Sequence, residues 1–178
     1  MQHDAIRALI RTIADFPKPG IQFRDVTTLM SNAAGFAAAI NALADRYSQH
    51  AIDQVAGIES RGFIFGSALA IALGAGFVPV RKSGKLPGDK IGRDYQLEYG
   101  SDRLELHVDA IRVDQRVLLV DDLIATGGTA EAAAHLIQQA GGRVVECAFI
   151  VDLPQLGGRR RLQDAGFASY ALCEFDGH

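Results

Sequence analysis

Four branched apolar residues, Val117 to Val120, run straight into two adjacent aspartates, Asp121 and Asp122, and a Thr-Gly-Gly-Thr turn follows at 126–129. Neighbouring carboxylates repel each other, and a glycine pair is entropically costly to order, so a bound partner that compensates both is expected. Carboxylates accept hydrogen bonds but donate none, which suits a partner rich in hydroxyl groups, or a cation. The backbone N–H groups of Ala125, Thr126, Gly127, Gly128 and Thr129 lead into a helix N-terminus and suit an anion, for which phosphate is the natural occupant. Gly127 and Gly128 allow the tight wrap, while the Thr126 and Thr129 hydroxyls add donors or cap the helix. Together the two halves describe a sugar phosphate, its terminal anion in the turn and its ring hydroxyls on the acids. Strand-end carboxylates making only turn hydrogen bonds would account for the aspartates but not for the loop beside them. Glu131, in the first helical turn, fits the helix dipole yet stands close to the expected phosphate, a tension the sequence leaves open.

Such a turn needs a strand before it and a helix after it. The pattern predicts a strand over 116–120, a helix over 130–140 ended by Gly141 and Gly142, and a strand over 143–151. The same grammar occurs earlier: strand 54–58, a turn from Glu59 to Gly62, helix 63–73 ended by Gly74, and strand 77–80. Two β-turn-α-β units imply an α/β fold with an open, mainly parallel twisted sheet flanked by helices. In such sheets ligands bind beyond the carboxyl ends of the strands, where both turns fall. Ile6, Leu9, Ile10 and Ile13 give an amphipathic first helix that stops at "DFPKPG", and Phe36, Ile40 and Leu43 mark a second. Tyr95, Leu97 and Tyr99, then Leu104, Leu106 and Val108, alternate about Gly100-Ser101-Asp102 as in a hairpin.

The chain has 178 residues, enough for one well-packed domain over 1–178, and no repeat or linker divides it. A net charge of −3 argues against a surface built for nucleic acid. Arg7 and Arg11 interrupt the apolar run that a signal peptide needs, and no stretch reaches the ~18 apolar residues of a membrane span. Cys147 and Cys173 form no C-x-x-C pair, so a reducing, cytoplasmic address is expected. The histidines show no ligand spacing and are assigned no metal. The absence of G-x-G-x-x-G and of G-x-x-x-x-G-K-[ST] excludes the usual dinucleotide and P-loop sites.

"VLLVDDLIATGGT" resembles the phosphoribosyl-diphosphate binding signature of the type I phosphoribosyltransferases. "DFPKPGIQFRDVTTL", "AGIESRGFIFG", "VRKSGKLPG" and "LEYG" resemble the adenine-specific members in order and spacing, from about residue 14 to residue 150. The resemblance implies transfer of a phosphoribosyl group from 5-phosphoribosyl 1-diphosphate to adenine, with magnesium held mainly by substrate and water. It places diphosphate contacts at Glu59, Ser60 and Arg61, with a cis bond between Glu59 and Ser60. Arg81, Lys82 and Lys85 would also reach the diphosphate, in part across a homodimer interface. Adenine recognition falls to Phe23 as a stacking surface, to the main chain at Gln22 and Arg24 within a base-binding segment of about 14–30, and to Leu123. A flap hairpin of about 84–108 carries Glu98 and Tyr99. Arg61 and Glu98 are the catalytic candidates. A carboxylate at Glu98 can accept the proton adenine loses or stabilise charge, and a glutamate in an alternating hairpin equally fits the solvent face.

Two other readings stay open at this point. A phosphoribosyltransferase for hypoxanthine, guanine or xanthine would want a donor such as lysine opposite the exocyclic oxygen, whereas adenine's amino group wants an acceptor. A ligand-sensing regulator could keep the sugar-phosphate site without catalysis. A DNA-binding version would need room for a recognition module that the first ~50 residues do not leave.

Overall fold

A computed structural model describes residues 2–96 and 100–177. Helix α1 (Gln2–Ala8) leads to β1 (Arg11–Ala14), which pairs antiparallel with β2 (Gln22–Asp25). Next come α2 (Thr27–Ser31) and α3 (Ala33–Tyr47), whose first turn is capped by the Asn32 side chain accepting from the Gly35 N–H at 2.8 Å. The first β-α-β unit is β3 (Gln54–Ile58), α4 (Arg61–Leu73) and β4 (Gly76–Lys82). A hairpin follows, β5 (Lys90–Gln96) and β6 (Ser101–His107), then the second unit, β7 (Arg116–Ile124), α5 (Gly128–Gln139) and β8 (Arg143–Asp152). A 3₁₀ turn at Pro154–Leu156, α6 (Gly158–Asp164) and β9 (Ser169–Glu174) complete the order.

The main sheet runs β5-β6-β4-β3-β7-β8-β9, parallel except for the hairpin. From β3 the chain crosses through α4 to one neighbour, and from β7 it crosses through α5 in the opposite direction. Right-handed crossovers in opposite directions put α4 and α5 on opposite faces of the sheet. Each face therefore has its own core. Leu118, Val120 and Ile150 pack with Phe65 and Leu69 of α4 and with Leu43 of α3. On the other side Leu119 and Phe149 pack with Leu136 and Ile137 of α5.

The expected parallel sheet with flanking helices and a hairpin is present, and three local expectations need correction. The first helix ends at Ala8, and Ile13 lies on β1 opposite Phe23. A helix that short has little intrinsic stability, and β-branched Thr12 and Ile13 take strand backbone once β2 is there to pair with. Strand β7 does not stop at Val120 but runs through both aspartates to Ile124, because β8 pairs with it as far as Ile124 opposite Asp152. Helices α4 and α5 each start two residues early, at Arg61 and Gly128, so these residues belong to first helical turns rather than to the preceding loops. In the hairpin, Val108 lies just past β6; Leu97, Glu98 and Tyr99 lie outside the described residues.

Candidate active site

Pairing between β3 and β7 ends at Gly57 opposite Val120, whereas β7 stays paired to β8 for another four residues. The sheet therefore splits at its carboxyl edge, at the boundary where the crossover direction reverses. This is where ligands sit in open α/β sheets. A cavity of about 290 Å³ fills the split. One wall is the Glu59–Ser60–Arg61 turn; the other is the continuous stretch from Asp121 to Ala130.

Asp122 is almost fully buried, and its Oδ2 takes the Arg61 Nε–H at 2.5 Å. Its backbone N–H donates to Asp121 Oδ1 at 2.9 Å, so the first carboxylate is partly satisfied by the chain itself. Burial, and then the charge of Asp122, push the Asp121 carboxyl well above the usual carboxylate range, with Arg61 pulling the other way. For Arg61, burial disfavours the cation, but Asp122 outweighs it and the guanidinium is held more firmly protonated than usual. Helix α4 reaches this position because residue 62 is glycine: a Cβ there would lie 2.8 Å from Asp121 Oδ1 and 2.9 Å from the Val120 carbonyl oxygen.

The peptide bond between Glu59 and Ser60 is cis. Glu59 Oε2 accepts from Arg81 Nε and from the Lys82 N–H, both at 3.0 Å, and Arg81 Nη1 also donates to the Lys85 carbonyl at 3.2 Å. Lys82 lines the cavity and pairs through Nζ with Asp102 Oδ2 at 3.1 Å. The Tyr95 hydroxyl donates to the same oxygen at 3.2 Å, which ties the hairpin to the cavity wall.

At the other wall Gly127 has φ 80°, in the left-handed region that favours glycine, and no side chain caps α5. The first-turn N–H groups are thus left without side-chain acceptors, as an anion site requires. The loop is backed by α6: a Cβ on Gly127 would lie 2.7 Å from the Gly158 carbonyl oxygen, and one on Gly158 would collide with the Ala125 carbonyl. Arg161 of α6 ion-pairs with Glu131.

A family model described as "Phosphoribosyl transferase domain" matches residues 25–167, which contain every wall of this cavity. The chain belongs to the phosphoribosyltransferase family. It is 64% identical over 173 residues to an adenine phosphoribosyltransferase of Nitrosospira multiformis, covering 97% of this chain and 99% of that one. It is 62% identical over 171 residues to that of Methylobacillus flagellatus, covering 96% and 97%. Among solved structures, the adenine phosphoribosyltransferase of Rhodothermus marinus superposes with a TM-score of 0.92 at 49% identity, covering 98% of each chain. That of Saccharomyces cerevisiae, complexed with an imino-altritol bisphosphate and adenine, gives 0.91 at 39% identity, covering 97% and 98%.

Within this phosphoribosyltransferase fold the cavity brings together Glu59, Ser60, Arg61, Lys82, Asp121, Asp122, Leu123 and the loop Ala125–Thr129. It does not bring in Arg81, which is committed to Glu59, or Lys85, which is exposed and contributes its carbonyl to Arg81. Gln22, Phe23 and Arg24 lie on β2 and are not among the residues that line the cavity. The Phe23 ring meets Phe16 edge-on at 5.3 Å. Arg24 donates to the Asp176 carbonyl at 2.6 Å and lies over the Phe175 ring, so its side chain anchors the C-terminal segment. The sequence reading missed Tyr95, Asp102, Gly158 and Arg161. Only Gly157-Gly158 ahead of three arginines offered a signal, as a glycine pair needs a close approach to justify it.

Proposed function

We propose that the chain is an enzyme of purine salvage that transfers the 5-phosphoribosyl group from 5-phosphoribosyl 1-diphosphate to adenine, giving AMP and diphosphate. The observation that carries this reading is the split between β3 and β7, which sets an uncapped helix mouth and two acids on one strand opposite a helix start bearing Arg61. The α5 mouth, Ala125 to Thr129, holds the 5-phosphate, and Asp121 and Asp122 take the ribose hydroxyls. In this structure Asp122 and Arg61 satisfy each other. A bound phosphoribosyl diphosphate offers hydroxyl donors to the acid and diphosphate oxygens to the guanidinium, so both exchange partners together. Departure of diphosphate builds positive charge on the sugar and negative charge on the leaving group, and the fixed acids and Arg61 are aimed at those two charges.

Adenine packs between Leu123 and the β2 segment, with Phe23 as its stacking face and the main chain of Gln22 and Arg24 reading its edge. Glu59, Ser60, Lys82 and, less directly, Arg81 and Lys85 form the diphosphate side. Glu98 and Tyr99 belong to the flap that excludes water. Of the three carboxylates that line the cavity, Glu59 is taken up by Arg81 and the Lys82 N–H, and Asp121 and Asp122 alone are too few for a protein cage but suited to an oxygen-seeking ion carried on the substrate. Asp121 and Asp122 are the residues that would face a magnesium ion carried that way, and its charge would help to neutralise the leaving diphosphate.

The whole chain acts as one domain, with the segment of about 14–30 and the hairpin of about 84–108 as its base-binding and flap parts. The reading includes a homodimer. Helix α4 is apolar all round, and its outer face leaves Ile71 83% and Ile64 43% exposed, as a helix does when a second copy covers it. No helix among the described residues is long and apolar enough to cross a membrane. Two buried free thiols, Cys147 and Cys173, accord with a reducing cytoplasm. The test offers adenine, hypoxanthine, guanine and orotate separately with magnesium and 5-phosphoribosyl 1-diphosphate and measures released diphosphate. Release with adenine alone is expected; release with another base in preference, or with none, overturns the reading.

A further inference from the structure

Glu131 presents a difficulty for any anion at the α5 mouth. It lies in the first turn, where a carboxylate stabilises the helix N-terminus but competes with a bound phosphate for the same positive end. The fold answers this from a distant part of the chain. Arg161, thirty residues on, ion-pairs with Glu131, and its guanidinium rests against Gly128, with Nη1 3.3 Å and Cζ 3.6 Å from where a Cβ on that glycine would be. Gly128 lines the cavity, while Arg161 and Glu131 line a groove behind it. Arg161 is held there by its own short helix, which starts at Gly158 in backbone contact with Ala125 and Gly127. The other groups facing Glu131 are weaker partners: His135 Nε2 stands 4.0 Å from its Oε1 and turns its ring edge to Phe167.

We propose that Arg161 is a positioning residue for the phosphate loop: from behind Gly128 it cancels the Glu131 carboxylate and thereby sets the affinity for the sugar's terminal phosphate. Arg161 does not touch the reacting atoms. Its effect belongs to binding and not to the chemical step, and it arises from one charge pair. Removing the arginine exposes the phosphate to an uncompensated carboxylate; removing the glutamate as well abolishes the need for the arginine. The same reasoning gives Glu131 its place, since a neutral residue there would weaken the start of α5 whenever no anion is bound.

This rests on the sugar-phosphate reading of the loop, so the experiment measures that binding directly. Ribose 5-phosphate is titrated calorimetrically into the parent protein, Arg161→Ala, Arg161→Lys, Glu131→Gln and the Arg161→Ala/Glu131→Gln double variant. KM for 5-phosphoribosyl 1-diphosphate and for adenine is measured beside it. Arg161→Ala should weaken ribose 5-phosphate and raise the diphosphate substrate's KM about fivefold at low salt, by less at 0.5 M salt, with kcat and the adenine KM nearly unchanged. Arg161→Lys and the double variant should return to within about twofold of the parent. A purely structural role for α6 would instead lower kcat and thermal stability, with no recovery when Glu131 is removed. Parent-like binding by Arg161→Ala, or a double variant as weak as Arg161→Ala, overturns the proposal while leaving the enzyme's activity intact. A parent protein that binds no ribose 5-phosphate overturns the proposal and the sugar-phosphate reading together.

Discussion

The two walls of the cavity are built in different ways. The β7–α5 wall is one uninterrupted stretch, Asp121 to Ala130, whose donors are main-chain groups fixed by a strand running into a helix. The opposite wall is assembled from side chains held by distant partners: Arg61 by Asp122 across the cavity, Glu59 by Arg81, and Lys82 by Asp102. A wall of backbone depends on conformation and is broken by anything that adds a Cβ or shifts a glycine. A wall of ion pairs depends on partners, and removing one leaves the other stranded.

Four substitutions or conditions would sharpen or break this contrast. The largest effect is expected for Arg61→Ala, which deprives the diphosphate of a cation and leaves the buried Asp122 carboxylate unpaired. A fall of about 10²–10³ in kcat/KM for 5-phosphoribosyl 1-diphosphate should appear in steady-state kinetics, and unchanged turnover would remove Arg61 from the site. Gly127→Ala tests the backbone wall: the left-handed φ and the nearby Gly158 carbonyl should together cost about 2 kcal/mol and weaken ribose 5-phosphate roughly thirtyfold, with adenine affinity preserved. Calorimetry with each ligand separates the two. Glu98→Gln should lower turnover about tenfold with the melting temperature unchanged; full activity would return Glu98 to the solvent face of the hairpin.

The smallest effect concerns acid. Asp25 is held down to about 2 by the Thr27 hydroxyl donating to it, against the opposing effect of burial, with Arg11 and the Thr27 N–H adding to the hold. Its folded value is below its ordinary one, so the stability it contributes is complete above about pH 4 and is lost as pH falls toward 2. Melts at pH 4.5 and 2.5 should show Asp25→Asn losing ~2–4 °C less than the parent over that interval. An identical loss in both proteins would contradict the assignment.

How much could be read from the sequence follows from the same contrast. Asp121 to Thr129 was legible because its chemistry depends on neighbours in the chain, and strand and helix periodicity placed it at a sheet edge. The order of the β-α-β units was legible for the same reason. The extension of β7 to Ile124 was not, since it depends on β8 continuing to pair after β3 has diverged. Nor was the pairing of Arg61 with Asp122 across sixty-one positions, or the docking of Gly158 behind Gly127, each set by a crossover bringing two distant loops to one edge. Ile13 was misplaced because its apolar spacing fits a helix, while the partner strand that recruits it lies beyond two prolines and a glycine.

The most direct test of the account is a crystal structure of the protein with 5-phosphoribosyl 1-diphosphate. The account predicts the 5-phosphate against the main-chain N–H groups of residues 126–129 and the ribose hydroxyls on Asp121 and Asp122, with Arg61 turned away from Asp122. A 5-phosphate bound elsewhere, with the α5 mouth closed by protein side chains and the Arg61–Asp122 pair intact, would contradict it.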